Sequence, residues 1–205
     1  ESFRCYKDAF DFVLERREAL LRRKVMEKRY DDAALDTLLH TRLFPFQKDG
    51  VRFAALAGRA ILADEMGLGK TVQAIATTEL LRREHFVGQV LILCPATLKY
   101  HWKHEVESLT DNEAVIVEGT ETERTKCMEA DAPYKIASYD SVAKDVNAGI
   151  IPGVDMLILD EVQRLKNWNS QMARAVSRIE SRYTLILSGT PLENRLEDLY
   201  SIVEL

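Results

Sequence analysis

A short apolar run, a glycine-bearing loop and a helical pattern follow one another between residues 60 and 83, and they constrain the fold more than any other feature. The run 60–63 is typical of a buried strand. Gly67 and Gly69 allow the loop backbone to curl so that successive amide N–H groups face one anion. The N-terminus of the following helix adds a partial positive charge. The order strand, loop, helix therefore predicts a phosphate-binding loop.

The residues around this loop fit that prediction, with one departure. Lys70 is placed to reach the β- and γ-phosphates of a nucleotide, and the Thr71 hydroxyl is placed to ligate magnesium. The strict pattern G-x-x-x-x-G-K-[ST] has glycine where this chain has Asp64. The alternative is a glycine-rich turn with a structural lysine, and the rest of the chain decides between the two. The residues predicted to cradle the nucleotide are Asp64, Glu65, Met66, Gly67, Leu68, Gly69, Lys70 and Thr71.

Composition narrows the class of protein. The chain has 205 residues, of which 46% are hydrophobic and 30% charged, as in an ordinary globular domain with a full core. The net charge of −5 gives no basic signature of a nucleic-acid binder. No apolar run approaches the roughly 18 residues that span a bilayer, so no membrane partner is expected. The three cysteines lack metal-ligand spacing and predict reduced thiols in an intracellular protein. Because Glu1 replaces an initiator Met, we expect a piece of a longer protein.

The chain divides near residue 42. Helical periodicity covers residues 3–28, and a second short helix is predicted over 32–40 with Asp32 as its cap. The basic residues of the first helix favour a solvated face over a phosphate-tracking one, since glutamates interleave with them. From residue 43 onward, predicted helices alternate with strands at 60–63, 90–94, 114–117, 134–138, 156–160 and 184–188. The last two of these helices are predicted over 170–179 and 196–205. This alternation predicts a parallel sheet with helices on both faces, an α/β fold.

Two further groups of polar residues follow buried strands. Asp160 ends the run 156–160 and Glu161 follows it, while Ser188 ends the run 184–188. Ligands of parallel sheets sit beyond the carboxyl ends of the strands, where Lys70 also falls. Asp160 would hold magnesium and Glu161 would orient or deprotonate an attacking water. An acidic turn capping the next helix is the alternative for this pair.

Taken together and in this order, the motifs resemble one family. Residues 43–47 (Leu-Phe-Pro-Phe-Gln) are similar to an adenine-reading glutamine motif, and residues 63–73 match a motif I in which Asp commonly takes the first position. Residues 160–167 resemble a DEAH-type box, with Gln163 where His is usual, and residues 187–194 resemble motif III. This set resembles the N-terminal RecA-like lobe of superfamily-two helicase-like ATPases, specifically the SWI/SNF (chromatin-remodeller-type) group. The Gln163 and Trp168-Asn169 positions favour its bacterial branch.

The resemblance implies roles for particular residues. Gln47 would read adenine, while Lys70, Asp160 and Glu161 would be catalytic in ATP hydrolysis with Mg²⁺. Motif III would couple nucleotide state to DNA contact. The residues of this coupling group are Gln163, Ser188, Gly189 and Thr190. Residues 94–98, with Trp102 and Glu105, resemble motif Ia of the family. For the basic residues of this region, the resemblance leaves open whether they contact the DNA backbone or form a solvated helix face: Lys99, His101, Lys103 and His104.

The resemblance also implies partners. A second RecA-like lobe would complete the motor, duplex DNA would be its track, and a DNA-bound protein complex is a further partner to consider. We expect residues 43–205 to form the lobe, residues 1–42 to form a helical extension, and the lobe alone to hydrolyse ATP poorly. Two alternatives remain: a nucleotide-dependent binding module with vestigial hydrolysis, and an RNA helicase lobe. The expected compartment is the cytoplasm, at the nucleoid in a bacterium, or the nucleus in a eukaryote.

Overall fold

The structure is a computed structural model and describes residues 7–65, 67–162 and 171–189. Three helices come first in this part of the chain, and strands and helices alternate from the first strand onward. The helices are α1 (Lys7–Arg29), α2 (Asp32–Leu35), α3 (Pro45–Ala57), α4 (Lys70–Arg83), α5 (Lys99–Leu109), α6 (Glu121–Glu129), α7 (Tyr139–Asn147) and α8 (Gln171–Val176). The strands are β1 (Arg59–Leu62), β2 (Val90–Cys94), β3 (Ala114–Ile116), β4 (Tyr134–Ser138), β5 (Val154–Leu159) and β6 (Ser181–Leu187).

The six strands form one parallel sheet in the order β1-β6-β5-β2-β4-β3. The register pairs Leu62 of β1 with Leu187 of β6, and Leu159 of β5 with Ile186 of β6. The ends of β1, β6 and β5 therefore lie side by side at one edge of the sheet. Parallel strands need crossover connections, and in this chain helices supply them. The predicted α/β class is confirmed.

Helices cover both faces of the sheet, because alternate strand residues point to opposite sides. One core contains Ile92 and Ile158 with residues of α3, α4 and α5. The other contains Leu93 and Leu159 with residues of α7 and α8. Every residue of β2 is buried, as the continuous apolar run at 90–94 predicts for a central strand.

The N-terminal helices pack against the first of these cores through polar as well as apolar contacts. Arg22 of α1 is buried, donates from Nη2 to the Leu56 carbonyl at 3.2 Å and stacks 5.1 Å from the Tyr183 ring centroid. Lys48 of α3 pairs with Asp36 at 2.9 Å. These contacts connect residues before 43 with the sheet domain.

Several predicted boundaries need correction. The helix predicted over 32–40 ends at Leu35, and its cap is Asp31, whose Oδ1 accepts from the Ala34 N–H at 2.8 Å. The hydrogen-bond pattern then changes from a spacing of four residues to a spacing of three, because the Thr37 N–H donates to the Ala34 carbonyl. The helix predicted over 170–179 is the shorter α8, and β1 begins one residue earlier than predicted. The helix predicted over 196–205 lies outside the described residues.

Candidate functional site

The loop between β1 and α4 holds the ammonium group of Lys70 against its own backbone. Nζ donates to the carbonyl oxygens of Asp64 at 2.6 Å and Glu65 at 2.9 Å. Gly69 caps α4 with a left-handed φ of 73°, which glycine adopts without strain. Because an ammonium group has three donors, one N–H of Lys70 is left for a phosphate oxygen.

Asp64 occupies the position where the strict phosphate-loop pattern has glycine, and the structure gives a reason why a carboxylate is tolerated there. Gln73 of α4 is fully buried and donates from Nε2 to Asp64 Oδ2 at 2.7 Å. Gly50 of α3 makes room for this amide, since a Cβ at Gly50 would lie 2.0 Å from Gln73 Oε1. The Gln73 amide therefore binds the negative side chain at the edge of the loop. The sequence shows both residues but no spacing rule that pairs them.

Gln47 connects the glutamine motif with the phosphate loop. It is buried at the third position of α3, where its Oε1 accepts from the Phe44 N–H at 3.0 Å and its Nε2 donates to the Leu68 carbonyl at 3.1 Å. The first of these bonds satisfies a backbone donor at the start of the helix. A Cβ at Gly69 would lie 2.6 Å from Nε2, so this close approach also favours glycine there.

An aromatic pair borders a shallow cavity beside Gln47. The rings of Phe44 and Phe46 stack with centroids 5.9 Å apart and planes 6° from parallel. They and Leu68 line a cavity of about 400 Å³, and Phe44 is 65% exposed. An exposed aromatic face next to a phosphate loop suits a flat heterocycle. No sequence motif indicates that Phe44 and Phe46 form this exposed pair.

Asp160 follows β5 and is held from both faces of the sheet. Its backbone N–H continues the sheet by donating to the Leu93 carbonyl at 2.9 Å. From the α5 side, Trp102 donates from Nε1 to Asp160 Oδ2 at 2.8 Å. From the α7 side, the Tyr139 hydroxyl donates to the Asp160 carbonyl oxygen at 2.9 Å.

The electrostatics of this carboxylate follow from its position. Burial raises the pKa of Asp160, and the nearby Glu161 charge adds to the rise, while the Trp102 hydrogen bond and the Lys70 charge oppose it. Lys70 is thus close enough to act on Asp160, although the two residues are far apart in sequence. Glu161 itself has a left-handed φ of 53°, a conformation that costs a non-glycine residue on the order of 1–3 kcal/mol.

The oxygens available at this edge fit a hard cation better than a transition metal. Within the described ranges, no group of three or more His, Cys, Asp or Glu side chains could hold a metal ion. Magnesium does not need such a cage, since it keeps waters and binds through one or two carboxylates plus phosphate oxygens. The Thr71 hydroxyl and the Asp160 carboxylate are donors of the type that magnesium prefers.

The third strand end at this edge carries Ser188. Its N–H donates to the Leu62 carbonyl at 3.1 Å, which joins the end of β6 to the end of β1. Ser188 is buried, and Gly189 follows it half-buried. The predicted coupling residues Gln163 and Thr190, and Met66 of the loop, lie outside the described residues. The structure therefore brings Lys70, Asp160 and Ser188 to one sheet edge, as the sequence predicts.

The polar residues of α5 divide into two groups. Lys99 pairs with Glu118 at 2.5 Å, and Lys103 pairs with Glu107 at 3.1 Å and donates to the Ala114 carbonyl. Their charges are thus engaged within the domain. His101 and His104 are exposed. A contact of these four residues with DNA remains a prediction, and the two histidines are now its better candidates. In the part of the chain that the structure covers, no helix is long and apolar enough to cross a membrane.

A parallel sheet with a glycine-bearing loop and Lys-Thr after one strand and an Asp-Glu pair after another is typical of the P-loop class of folds, to which the RecA-like fold belongs. The comparisons with known proteins agree. The model of the SNF2-related domain matches residues 46–205. The TATA-binding protein-associated factor BTAF1 of Arabidopsis thaliana is 35% identical over 190 residues, which is 85% of this chain and 9% of that protein. The ISWI chromatin-remodeling complex ATPase ISW1 of Saccharomyces cerevisiae is 33% identical over 175 residues, or 79% of this chain and 15% of that protein.

Among solved structures, the Sulfolobus solfataricus SWI2/SNF2 ATPase core in complex with dsDNA superposes with a TM-score of 0.72 and 27% identity. The match covers 80% of this chain and 36% of that chain. This chain belongs to the SNF2-related domain family, so the resemblance to the SWI/SNF group is confirmed. Its assignment to a bacterial branch remains a prediction. The chain spans only a small part of the curated relatives that it matches.

Proposed function

We propose that this chain is the ATP-binding lobe of a SWI/SNF-type enzyme that couples ATP hydrolysis to movement on double-stranded DNA. One observation carries the proposal. The phosphate loop, the Asp160–Glu161 pair and Ser188 follow β1, β5 and β6, which are neighbours in the sheet. Phosphoryl transfer needs positioning and charge stabilisation rather than covalent chemistry, and this edge of the sheet collects the residues for both.

The base and the phosphates of ATP would each have a set of contacts. Loop amides and Lys70 would bind the β- and γ-phosphates. Gln47 has one amide N–H and one oxygen lone pair beyond its bonds to Leu68 and Phe44, and these two groups match the adenine N7 and N6. Phe44 would stack on the base.

The chemical step would depend on Thr71, Asp160 and Glu161. Thr71 and Asp160 would hold Mg²⁺, which would offset the charge that develops on the phosphate oxygens. Glu161 would orient the attacking water and accept its proton. Glu161 follows Asp160 directly in sequence and has a left-handed φ of 53°.

Complete activity would need partners. A second RecA-like lobe would close the site and supply arginine fingers, which are worth about 10³–10⁵ in turnover in related enzymes. The SWI2/SNF2 core that matches this chain was solved with dsDNA, which supports duplex DNA as the track. Ser188, Gly189, Thr190 and Gln163 would couple the nucleotide to that track. A DNA-bound protein complex would be the cargo, and the protein would work in the compartment that holds DNA.

Phosphate release with and without duplex DNA tests the proposal. A two-lobed polypeptide that contains this chain should show DNA-stimulated turnover, whereas the 205-residue chain should bind ATP and hydrolyse it poorly. Glu161→Gln in the two-lobed protein should keep ATP binding and lower turnover by at least about 10²-fold, since it loses the basic carboxylate. Glu129→Gln, an exposed change at the end of α6, is the matched control.

Two outcomes would contradict the proposal. If Glu161→Gln hydrolyses ATP at the parental rate, Glu161 is not the base. If the two-lobed protein binds ATP but duplex DNA leaves turnover at its basal rate, the chain is better described as a nucleotide-dependent binding module with vestigial hydrolysis.

A further inference from the structure

We propose that Trp102 is a positioning residue that orients the Asp160 carboxylate for magnesium and thereby connects helix α5 to the metal site. The inference rests on the proposed function, because Asp160 acts as a magnesium ligand only if the chain binds Mg²⁺ with ATP. Trp102 lies 58 residues before Asp160 in sequence, and its indole N–H donates directly to the carboxylate oxygen Oδ2 at 2.8 Å.

The indole group is fixed before it meets the carboxylate. Trp102 is fully buried between α5 and the sheet, in the same apolar core as Val106 of α5 and Ile92 of β2. A tryptophan side chain has one N–H and no acceptor, so a buried tryptophan loses that hydrogen bond unless a partner lies on its path. Asp160 is that partner. The packing of the ring therefore determines where the donor points.

The backbone of Asp160 is fixed independently of its side chain. The Leu93 carbonyl and the Tyr139 hydroxyl hold its N–H and C=O groups, each at 2.9 Å. With the backbone held, the carboxylate still has freedom to turn about its side-chain torsions. The Trp102 bond removes that freedom by occupying one lone pair of Oδ2, and it leaves other lone pairs of the carboxylate for a metal.

Hydrogen-bond donors to a metal-binding carboxylate commonly affect how well the site binds its metal. Groups that hydrogen-bond a ligating carboxylate orient it, and their loss typically costs 10–100-fold in metal affinity or activity. In this domain the orienting group sits on α5, the helix that also carries the exposed His101 and His104. A displacement of α5 would therefore move the donor that holds the metal ligand. The domain has a direct physical connection between its motif Ia region and the magnesium site.

The test separates metal binding from nucleotide binding and from folding. Trp102→Phe keeps an aromatic ring but removes the N–H donor. ATP is titrated calorimetrically into the 205-residue chain, once with excess Mg²⁺ and once with a chelator. The magnesium contribution is the ratio of the two ATP affinities. We expect Trp102→Phe to change the magnesium-free affinity by less than about twofold and to lower the magnesium contribution by about tenfold.

The control variant is Tyr134→Phe. Tyr134 is also fully buried on the same face of the sheet, and its hydroxyl donates to the carboxylate of Glu79, at 2.6 Å from Oε1, rather than to that of Asp160. It should leave both affinities unchanged. An unchanged magnesium contribution in Trp102→Phe would overturn the proposal. An equal loss with and without magnesium would also overturn it, because a merely structural role predicts that result.

A second measurement does not depend on the folding of Trp102→Phe. The chain has two tryptophans, so Trp168→Phe leaves Trp102 as its single fluorescent indole. Adding Mg²⁺ to this variant saturated with ATP should change the Trp102 emission, and Asp160→Asn should abolish that change. If the Trp102 emission of Trp168→Phe, which retains Asp160, does not change when Mg²⁺ is added, the proposal is overturned. If the parent chain binds ATP equally well with and without Mg²⁺, the result contradicts the proposed function itself and not only the role of Trp102.

Discussion

Replacing Gln73 by methionine tests how the chain tolerates an aspartate in its phosphate loop. Gln73 Nε2 donates to Asp64 Oδ2 at 2.7 Å, and the substitution removes this bond while keeping the length of the side chain. We expect ATP to bind about tenfold more weakly, because the freed Asp64 carboxylate no longer stays at the edge of the loop. A hydrogen bond to a charged group is worth about 1.5–3 kcal/mol, which sets this scale.

The free energy of unfolding should respond differently from ATP affinity. Gln73 Oε1 is buried and has no hydrogen-bond partner within the described residues, and an unsatisfied buried acceptor costs about 1–3 kcal/mol. Methionine removes this cost together with the bond to Asp64. The two contributions are similar in size and opposite in sign, so we expect the free energy of unfolding to change by less than about 1 kcal/mol.

Calorimetric titration with ATP and urea unfolding measure the two quantities. Thr78→Val is the matched control, since Thr78 is also fully buried on α4, but its hydroxyl donates to the Ala74 carbonyl and not to the loop. It should leave ATP affinity unchanged. Parental ATP affinity in Gln73→Met would refute the reasoning, as would a loss of affinity that merely follows a large loss of stability.

Three further predictions concern the surroundings of the site. Gly50→Ala should destabilise the chain by about 1–3 kcal/mol in urea unfolding and also weaken ATP binding, since its Cβ would meet the buried Gln73 amide at 2.0 Å; parental values of both would refute the contact. Phe44→Ala should weaken ATP binding by about tenfold in the same titration with little change in stability, because a stacked base contributes about 1–3 kcal/mol and the ring is exposed. Burial, with the hydrogen bond to Glu18 adding, raises the pKa of Tyr183 from 10.0 to about 12. The resulting stability is present below pH 10.0 and is lost as pH rises towards about 12, so Tyr183→Phe should lose less stability over that range in pH-dependent unfolding.

The sequence predicts the sheet and the edge where the chemistry gathers because both depend on local patterns. Buried runs such as 90–94 indicate central strands, and the polar residues that follow strands must share one edge of a parallel sheet. The order of the strands in the sheet is harder to predict from the sequence, because no local pattern indicates that β6 lies between β1 and β5. The N-cap of α2 is hard to predict for a similar reason. Two neighbouring aspartates, Asp31 and Asp32, are both suitable caps, and the sequence pattern does not decide between them.

The supporting contacts of the site are not predictable from single motifs. Helical periodicity over 98–109 predicts Trp102 on the inward face of a helix, and the structure confirms its burial. Its bond to Asp160 depends on how α5 crosses the sheet, which side-chain periodicity does not encode. The Gln73–Asp64 bond and the stacking of Phe44 on Phe46 likewise arise from the approach of separate elements. The chemistry is therefore visible in the sequence, whereas the contacts that orient it are visible only in the fold.

Titration of ATP into this chain and into Lys70→Ala, with excess Mg²⁺, tests the central claim most directly. Lys70 Nζ contacts only loop carbonyl oxygens among the bonds that the structure gives it, so its removal should leave the fold intact. We predict that Lys70→Ala binds ATP at least about tenfold more weakly, because it loses one charge-assisted contact to phosphate. The control Lys144→Ala, on the exposed face of α7, should bind ATP as the parent does. Equal ATP affinity in Lys70→Ala and the parent would contradict the assignment of the loop to nucleotide.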